Sequence, residues 1–569
     1  MPGMGDGINI HNPFVADAFY RTLGQHVLVG LLLAALIGAW WAWRQPLWPV
    51  DAEPVVRRTL RYGFGALWVL NGALQLQSAM PLGLATSIFT DARDDTPTWA
   101  QGPINVAITV WNEHPVGMAS LVVLLQLGIG FMLLAQRTSR MGALLSVGWS
   151  GAIWFASGYG GLFASGSSFF FGWPGGVVLY VLAGVIISRR YTFFDARAVW
   201  TLRWSIATLL IGGGLWQLRP GTGFWGRGDT NEWWRMSRDM ASMSQPELLQ
   251  RLVRFAGDAA VHLGPLWNIG VSVAVVGIGA LVWRVRRITR VAIVLITIVL
   301  VAFWVVVQDT GLFGGLSTDP SSLPPLIILA IGLYRGQAAA ERTAIGPTVA
   351  GTVTRNASRG VAAIGAAMFL VASWSLFLTV CGTTESTFHV AANGEGTDVV
   401  TPAPPFHLTD PTGRRVGIPY TPGHVVALTF LDPVCFEECS LIGHQLVELL
   451  RSFPDDRPVD VIAVAANSDD HSPREVKNFL RRNHFDTVPR FYFVNGSTAA
   501  LEATYANYGV TVHGGGEDGM SIHTNVVYLI DGRGQLRYIM TDTPAPGRAG
   551  VSSAVTVLRE QVLRLLREP

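Results

Sequence analysis

The chain has 569 residues, of which 50% are hydrophobic and only 14% are charged, and its formal net charge is +2. Soluble domains usually carry about 25% charged residues, so this composition excludes a soluble enzyme, a disordered chain and a nucleic-acid binder with a basic surface. The three cysteines, Cys381, Cys435 and Cys439, are too few for a disulfide framework. A polytopic α-helical membrane protein is the class that remains.

Apolar runs of roughly 20 residues, the length that spans a bilayer as a helix, predict about ten transmembrane helices. The first run is too long for a signal peptide, and Arg44 follows it where a cleavage site would need small residues. The runs lie near 24–43, 62–80, 116–135, 141–158, 173–188, 203–218, 264–283, 291–308, 323–335 and 360–381.

Arginines predict the orientation of these helices. They cluster in the short loops after the first, third, fifth, seventh and ninth runs, all on one side of the membrane. Because short cytoplasmic loops are enriched in Lys and Arg, we expect that side to be the cytoplasm and both termini to lie outside. The loop at 219–262 carries arginines on the outer side, but long loops follow this rule poorly.

The membrane part contains an internal repeat. LRYGFGALWVLNGALQL from Leu60 matches LRWSIATLLIGGGLWQL from Leu202, and Trp154 with a later GLF matches Trp304 with its own GLF. Such self-similarity predicts a duplicated structural unit. Each copy would contain four helices.

The repeat predicts an order of domains along the chain. Each four-helix unit resembles the DoxX-like membrane family in its LR opening and its Gly-rich first helix. That resemblance implies a link to sulfur and quinone redox chemistry but assigns it to no residue. The predicted domains are a first segment with one helix at 1–56, the two units at 57–190 and 191–340, a last helix at 341–381, a flexible linker at 382–404 and a C-terminal domain at 405–569.

The C-terminal domain alternates between two hydrophobic periods. HVVALTFL, DVIAVAA and RFYFV are typical of strands, whereas LIGHQLVELLRSF, PREVKNFLRRNH and the last stretch at 552–567 are typical of helices. NVVYLI and QLRYIM are expected to pair around Asp531-Gly532. The alternation predicts one α/β domain on the extracytoplasmic side.

Cys435 and Cys439 lie in LDPVCFEECSLIGHQL, after a predicted core strand and at the start of a helix. A helix N-terminus stabilises a thiolate, so this position predicts a lowered cysteine pKa. The spacing places both sulfurs on one side of the first turn, where they can hold a soft metal or form a disulfide. Thiolates favour Cu(I) and Zn(II), and two thiolates need at least one more ligand, for which His is the usual supplier.

The C-terminal domain resembles the Sco/SenC family of thioredoxin-fold copper chaperones over about 405–565. FHLTDPTGRRVGI from Phe406 is similar to the opening hairpin of the family, and VIAVAANSDDHSPREVKNFL from Val461 to its strand, acidic turn and helix. IHTNVVYLIDGRGQLRYI from Ile522 is similar to its histidine-containing segment.

This resemblance implies that Cys435, Cys439 and His523 are the ligands of one copper ion. It also places Asp469 and Asp470 in the acidic turn near the site. The implied function is that of a membrane-anchored copper chaperone, which helps to assemble a copper centre in a respiratory oxidase. Its partners would be the lipid bilayer, an oxidase subunit that accepts copper and a thiol reductant.

Other functions remain open for the same residues. As an extracytoplasmic thiol–disulfide oxidoreductase coupled to a redox-active membrane domain, the protein would use Cys435 and Cys439 as its catalytic pair. Such enzymes usually have a shorter C-x-x-C spacing and a proline near the later strand, which this chain lacks. A structural disulfide or a non-catalytic assembly scaffold would also accommodate these residues. The family's proline after each cysteine is replaced here by Phe436 and Ser440, which removes no ligand.

Weaker patterns lie in the membrane part. Met236, Met240 and Met243 share one face of a predicted helix, either as a transient Cu(I)-collecting surface or, as we favour, as part of an amphipathic helix on the membrane. His114 and His262 lie at equivalent places in the repeat. Such a pair would bind haem, copper or a quinone headgroup, but the interpretation that we favour is a hydrogen-bonding role near the interface.

Several single residues receive no functional assignment. Each is a chemically active side chain, but its position in the sequence favours a buried, capping or loop role over a site. They are His26, Glu113, Asp309, Cys381, His444, His471 and His513.

Overall fold

The computed structural model describes residues 13–43, 53–164, 166–189, 194–226, 230–243, 245–285, 287–313, 316–343, 363–373, 397–435, 438–467, 471–513, 521–523, 525–540 and 554–568. The chain divides into two compact units. One comprises Leu23–Ile108 and Ala119–Phe377, and the other comprises Met1–Thr22, Thr109–Met118 and Leu378–Pro569.

Helices form the described chain as far as residue 373. In order they are α1 (Pro13–Trp43), α2 (Val55–Leu74), α3 (Met80–Gly83), α4 (Thr90–Asp94), α5 (Gly102–Glu113), α6 (Pro115–Leu134), α7 (Ser139–Ala156), α8 (Gly158–Gly161), α9 (Val177–Ser188), α10 (Phe194–Gln217), α11 (Glu232–Ser242), α12 (Glu247–Leu263), α13 (Pro265–Arg284), α14 (Arg290–Val306), α15 (Leu323–Thr343) and α16 (Ala363–Ser373).

Each predicted apolar run overlaps one of these helices. Among the described residues, five helices contain a stretch long and apolar enough to cross a membrane. Those stretches are Phe19–Ile37, Pro115–Leu134, Asp195–Gln217, Pro265–Arg284 and Leu323–Ala340. The helix α5 was not predicted, because it has only 12 residues. The helices α11 and α12 lie where the sequence predicts one amphipathic helix.

Glycines allow neighbouring helices of this unit to pack closely. A Cβ atom placed on Gly130 of α6 would lie 2.8 Å from the backbone nitrogen of Val69 in α2. A Cβ atom on Gly279 of α13 would lie 3.1 Å from the backbone nitrogen of Ile211 in α10. Small residues let the backbones of transmembrane helices approach and gain packing contacts, so these glycines fix the α2–α6 and α10–α13 pairs.

The C-terminal domain is built on a six-stranded sheet with the strand order β1-β10-β9-β4-β5-β6. The strands β4, β5 and β6 are parallel, and the other neighbours are antiparallel. The strands of the domain are β1 (Thr397–Pro402), β2 (Phe406–Thr409), β3 (Arg415–Ile418), β4 (Val425–Leu431), β5 (Val459–Ala465), β6 (Phe491–Val494), β7 (Val512–His513), β8 (Ile522–His523), β9 (Val527–Ile530) and β10 (Gln535–Met540).

Four helices complete the domain: α17 (Glu438–Arg451), α18 (Pro473–Arg482), α19 (Thr498–Tyr508) and α20 (Ala554–Leu565). Every residue of β4 and of β5 is buried, which is why both sequences are mostly apolar instead of alternating. The charged exception is Asp460 in β5, whose carboxylate contacts His424 Nδ1. The predicted hairpin β2–β3 and the predicted pair β9–β10 are both present. The helix α19 and the short pair β7–β8 were not predicted.

The predicted flexible linker at 382–404 needs a correction at its C-terminal end. Thr397–Pro402 forms β1, which pairs with β10 at the edge of the sheet. The composition of the linker hid this strand, because Val399 and Val400 follow a Gly- and Thr-rich stretch. A strand at an edge is held by backbone hydrogen bonds to its neighbour, which composition does not reveal. The linker residues before 397 lie outside the described residues.

Candidate metal centre

The two cysteines lie where β4 ends and α17 begins. Cys435 is half-buried in the connecting loop, and its N–H donates to the carbonyl of Asp432 at 3.2 Å. Cys439 lies in the first turn of α17 and is 1% exposed. Both are free thiols. The parallel strand β4 therefore delivers the pair to the carboxyl edge of the sheet, where α/β folds commonly place their sites.

His523 reaches the same place from a distant part of the chain. Its Nε2 atom lies 3.2 Å from Cys439 Sγ. His523 is held on β8, where it pairs with Val512 of β7. The thiols of Cys435 and Cys439 are hydrogen-bonded to each other, so the three predicted ligands form one chain of contacts.

These contacts do not yet make a complete metal cage. Within the described parts of the chain, no three His, Cys, Asp or Glu side chains converge closely enough to hold a metal ion. Cys439 and His523 already lie at a separation that suits two ligands of one ion, because metal–sulfur and metal–nitrogen bonds are about 2.3 and about 2.0 Å long. A three-ligand site therefore requires the Cys435 thiolate to join this pair.

The acidity of Cys439 differs from the sequence-based prediction. The hydrogen bond with Cys435 and the burial of the side chain raise the pKa of Cys439 well above its usual range. The prediction of a lowered pKa rested on the helix N-terminus, whose effect is smaller here than that of burial and of the second thiol. A metal ion must therefore displace a proton from a neutral Cys439 thiol.

Asp432 is a residue of this site that the sequence analysis missed. It is the first residue after β4, and it is completely buried. Its Oδ1 accepts hydrogen bonds from the N–H of Val434 at 2.8 Å and from Asn467 Nδ2 at 3.1 Å. Its Oδ2 accepts from the N–H of Ser521 at 2.8 Å. The available signal was an acidic residue directly after a fully apolar strand, three positions before a cysteine.

Arg482 is a second residue that the sequence did not single out. It lies in the last turn of α18, and its Nη2 donates to the carbonyl of Cys435 at 2.9 Å. The guanidinium thereby holds the backbone of the cysteine loop and brings a positive charge near it. Positive charge near thiolates favours their ionised form.

The methionine face of the membrane part is mostly packed against protein. Met236 packs on the large apolar cluster of the helical unit, and Met240 packs on a smaller cluster formed by Ala241, Leu249 and Val253. Met243 is 41% exposed. The expected single amphipathic helix is in fact two helices, α11 and α12, because Pro246 starts a new one.

No described contact brings the histidines of the helical part of the chain together into one site. His262 is exposed in the last turn of α12, where it faces the negative end of the helix dipole. His26 contacts Ser120 through Nδ1 at 2.8 Å. Asp309 is 5% exposed. Its backbone has a positive φ in the turn that follows α14.

The other histidines of the C-terminal domain lie apart from the cysteines. The ring of His444 packs edge-on against Phe485, with 4.9 Å between ring centroids. The backbone carbonyl of His471 accepts a hydrogen bond from Asn495. Asp469, Asp470 and Cys381, together with the side chains of Glu113 and His513, lie outside the described parts of the structure.

Residues 395–552 match the family model SCO1/SenC. The matched residues include Cys435, Cys439 and His523. A comparison with curated protein sequences found no significant match.

Solved structures of Sco proteins are similar to the C-terminal part of the chain. The copper-bound ScoI of Arabidopsis thaliana is 17% identical over 29% of this chain and 99% of that chain, with a TM-score of 0.25. The copper-bound ScoI of Bradyrhizobium japonicum is 21% identical over 29% and 99%, with a TM-score of 0.24. Yeast Sco1 is 20% identical over 29% and 98%, with a TM-score of 0.24.

Proposed function

We propose that the C-terminal domain binds one copper ion through Cys435, Cys439 and His523 and delivers it to a copper centre of a respiratory oxidase. The contact of 3.2 Å between Cys439 Sγ and His523 Nε2 is the observation that carries the proposal. Soft thiolates select Cu(I), and imidazole also suits copper. The family-model match over 395–552 supports the assignment.

Copper would enter and leave this site by ligand exchange. Binding converts the Cys435 and Cys439 thiols to thiolates and releases their protons. The acceptor's thiolates then replace those of the chaperone one at a time, so copper is never free. The half-buried Cys435 is the first donor that an acceptor reaches, because Cys439 is 1% exposed.

Titration of the full chain with copper tests this proposal. The Cys381→Ser protein, purified in detergent, is titrated with Cu(I) under reducing conditions in competition with a chromogenic chelator. We expect one tightly bound copper per chain, lost when Cys435→Ser and Cys439→Ser are added. His407→Ala, an exposed histidine on β2 of the same domain, is the matched control and should bind as the parent does. No stoichiometric copper in the parent protein would contradict the proposal.

The second candidate function is a thiol–disulfide oxidoreductase. The hydrogen bond between the two thiols favours it, because the sulfurs are already neighbours. In this reaction Cys435 and Cys439 form a disulfide and give two electrons and two protons to a partner disulfide, which becomes two thiols. Rapid reduction of a disulfide peptide by the parent protein, unchanged in His523→Ala, together with no copper binding, would favour this function.

The proposal also covers how many helices span the membrane and how they repeat. We place about ten spans, with both termini outside and the C-terminal domain, from residue 397 onward, on the outer face. Five described helices meet the length and apolarity of a span. The shorter apolar helices Val177–Ser188, Arg290–Val306 and Ala363–Ser373 would add three, and the runs at 62–80 and 141–158, which overlap α2 and α7, would add two. The bilayer is then the first partner of the protein.

Equivalent contacts support two copies of one four-helix unit, at 57–190 and 191–340. Arg61 in the first LR pair donates to the carbonyls of Leu133 and Leu134 at the end of α6. Arg203 in the second LR pair donates to the carbonyl of Val285 just after α13. Each arginine thus caps the C-terminus of a neighbouring helix, where carbonyls lack partners.

The tryptophans of the repeat make equivalent contacts as well. Trp154 at the end of α7 donates through Nε1 to the carbonyl of Pro174 at 2.9 Å. Trp304 at the end of α14 donates through Nε1 to the carbonyl of Pro320 at 2.8 Å. In each copy the tryptophan closes the loop that leads to the next helix. These paired contacts support the DoxX-like duplication that the sequence predicts.

A further inference from the structure

A buried carboxylate connects the two chain segments that carry the proposed copper ligands. Asp432 is 0% exposed. Its Oδ1 accepts from Val434, next to Cys435, and its Oδ2 accepts from the N–H of Ser521, two residues before His523. Ser521 Oγ also lies 3.3 Å from Oδ2. One side chain therefore binds the cysteine loop and the segment of β8 at the same time.

The partners of Asp432 explain why a carboxylate is needed there. Val434 N–H, Asn467 Nδ2 and Ser521 N–H are all donors, and they approach both carboxylate oxygens. A buried carboxylate is costly unless such bonds compensate it. An asparagine of the same shape has only one acceptor oxygen, and its NH₂ group would face a donor.

The backbone of Asp432 also contacts both cysteines. Its N–H donates to Cys439 Sγ at 3.4 Å, and its carbonyl accepts from the N–H of Cys435 at 3.2 Å. On the other side, β8 is only two residues long and is paired with β7. So short a pair leaves the position of His523 dependent on further attachments of its segment. These include the bond from Ser521 N–H to Asp432 Oδ2 and the bond from Ser521 Oγ to the carbonyl of Ala466.

We propose that Asp432 is a positioning residue that sets the separation of Cys439 and His523 and thereby allows the site to hold Cu(II) as well as Cu(I). This inference rests on the proposed copper function. Cu(I) is bound mainly through the soft thiolates, whereas Cu(II) depends more strongly on the nitrogen ligand, which here is the imidazole. Loosening the Ser521 attachment therefore weakens Cu(II) binding selectively.

Measurement of both copper affinities in Asp432→Asn tests the proposal. The full chain with Cys381→Ser is titrated with Cu(I) and with Cu(II) in competition with chelators. We expect Cu(II) affinity to fall about 10–100-fold, the usual effect of losing a group that orients a metal ligand. The Cu(I) affinity should fall by a much smaller factor than the Cu(II) affinity.

Asp531→Asn is the matched control. Asp531 is also a buried carboxylate, and its Oδ1 accepts from the N–H groups of Arg533 and Gln535 in the β9–β10 turn. It has no described contact with the cysteine loop or β8. Both copper affinities should stay at the parent value in this variant.

A double-mutant cycle distinguishes positioning from general damage. If Asp432 acts through His523, Asp432→Asn added to His523→Ala gives no further loss of Cu(II) affinity. Additive losses, or equal losses for both ions, would overturn the inference. Ser521→Ala decides the case if Asp432→Asn does not fold, because it loosens the same attachment: it removes the hydroxyl contacts with Asp432 Oδ2 and with the carbonyl of Ala466 and keeps the N–H bond to Asp432. A selective fall in its Cu(II) affinity supports the inference, and parent affinities for both ions overturn it.

A metal-free readout separates this inference from the proposed function. If the parent protein binds no copper, the proposed function fails, and the histidine-ring NMR signals of the apoprotein still test the role of Asp432. Asp432→Asn should shift the His523 signals, and Asp531→Asn should leave them in place. Unshifted His523 signals in folded Asp432→Asn would overturn the positioning role.

Discussion

The imidazole of His523 lies 3.2 Å from the thiol of Cys439, although 84 residues separate the two in the chain. The resemblance to a known family identified all three proposed ligands by position. The resemblance did not identify Asp432, because a single acidic residue after a strand is not a recognisable motif. The hydrogen bonds of Asp432 depend on Asn467 and Ser521, which only the folded sheet brings together.

A second buried charged residue, Arg61, lies in the N-terminal helical unit. Arg61 is 2% exposed and forms an ion pair with Glu53, with Arg61 Nε 2.9 Å from Glu53 Oε1. The same guanidinium donates to the carbonyls of Leu133 and Leu134. The pair therefore joins the start of α2 to the end of α6.

We expect Arg61→Met to destabilise the helical unit by about 3–5 kcal/mol, because it leaves Glu53 buried and unpaired. Resistance of the purified protein to SDS-induced unfolding measures this loss. Adding Glu53→Gln to Arg61→Met should recover part of it, because the unpaired charge is then gone.

The matched control is Arg251→Met. Arg251 pairs with Glu247 on the exposed face of α12, and both side chains are at least 70% exposed. Exposed helix pairs contribute only about 0.3–0.5 kcal/mol. Equal effects of the two substitutions would show that the burial of Arg61 has no energetic consequence.

At the scale of elements, most of the C-terminal domain followed from its periodicity. The buried runs Val425–Leu431 and Val459–Ala465 are long and β-branched, and they form β4 and β5. The edge strand β1 and the pair β7–β8 escaped prediction, because backbone pairing holds them and their own apolar pattern is weak.

The helix α19 packs two tyrosines into the sheet. Tyr508 is completely buried, and its hydroxyl donates to the carbonyl of Pro404 at 2.7 Å. Tyr505 donates to the carbonyl of Ala465. Burial raises the pKa of Tyr508 and of Tyr505 above the usual tyrosine value. Both hydroxyls therefore stay protonated in the folded domain at pH values that ionise a free tyrosine.

We expect the domain to lose stability as the pH rises above about 10, the ordinary tyrosine pKa. The raised pKa means that the folded state holds its protons while the unfolded state releases them, so this contribution is complete below that pH and declines above it. Pulse proteolysis in urea at several pH values measures the effect. Tyr508→Phe should flatten the decline above pH 10 and cost about 1 kcal/mol at neutral pH through the lost hydrogen bond. If stability declines as steeply above pH 10 in Tyr508→Phe as in the parent protein, Tyr508 does not cause the decline.

At the scale of the whole molecule, composition predicts a membrane protein, and five described helices are long and apolar enough to cross a membrane. Every predicted apolar run overlaps a helix. The sequence predicts about ten spans, but only five described helices meet the length and apolarity of one, because several helices are shorter than a bilayer or carry arginines within them. The sequence also does not predict how the helices of the two repeats pack. Contacts such as that of Trp304 with Pro320 depend on loop conformation.

The predicted orientation is testable with single cysteines in a background that lacks the three native ones. Arg137→Cys lies in a short arginine-bearing loop, and Asp239→Cys lies on α11; both positions are exposed. A membrane-impermeant maleimide should label Asp239→Cys in intact cells and Arg137→Cys only after permeabilisation. The reverse pattern would place the C-terminal domain in the cytoplasm.

The measurement that tests the copper account most directly is X-ray absorption at the copper edge of the copper-loaded full chain with Cys381→Ser. The account predicts two sulfur neighbours at about 2.3 Å and one nitrogen neighbour at about 2.0 Å, with the nitrogen lost in His523→Ala and both sulfurs lost in the Cys435→Ser, Cys439→Ser protein. Copper surrounded only by oxygen and nitrogen, or a spectrum unchanged by these substitutions, would contradict it.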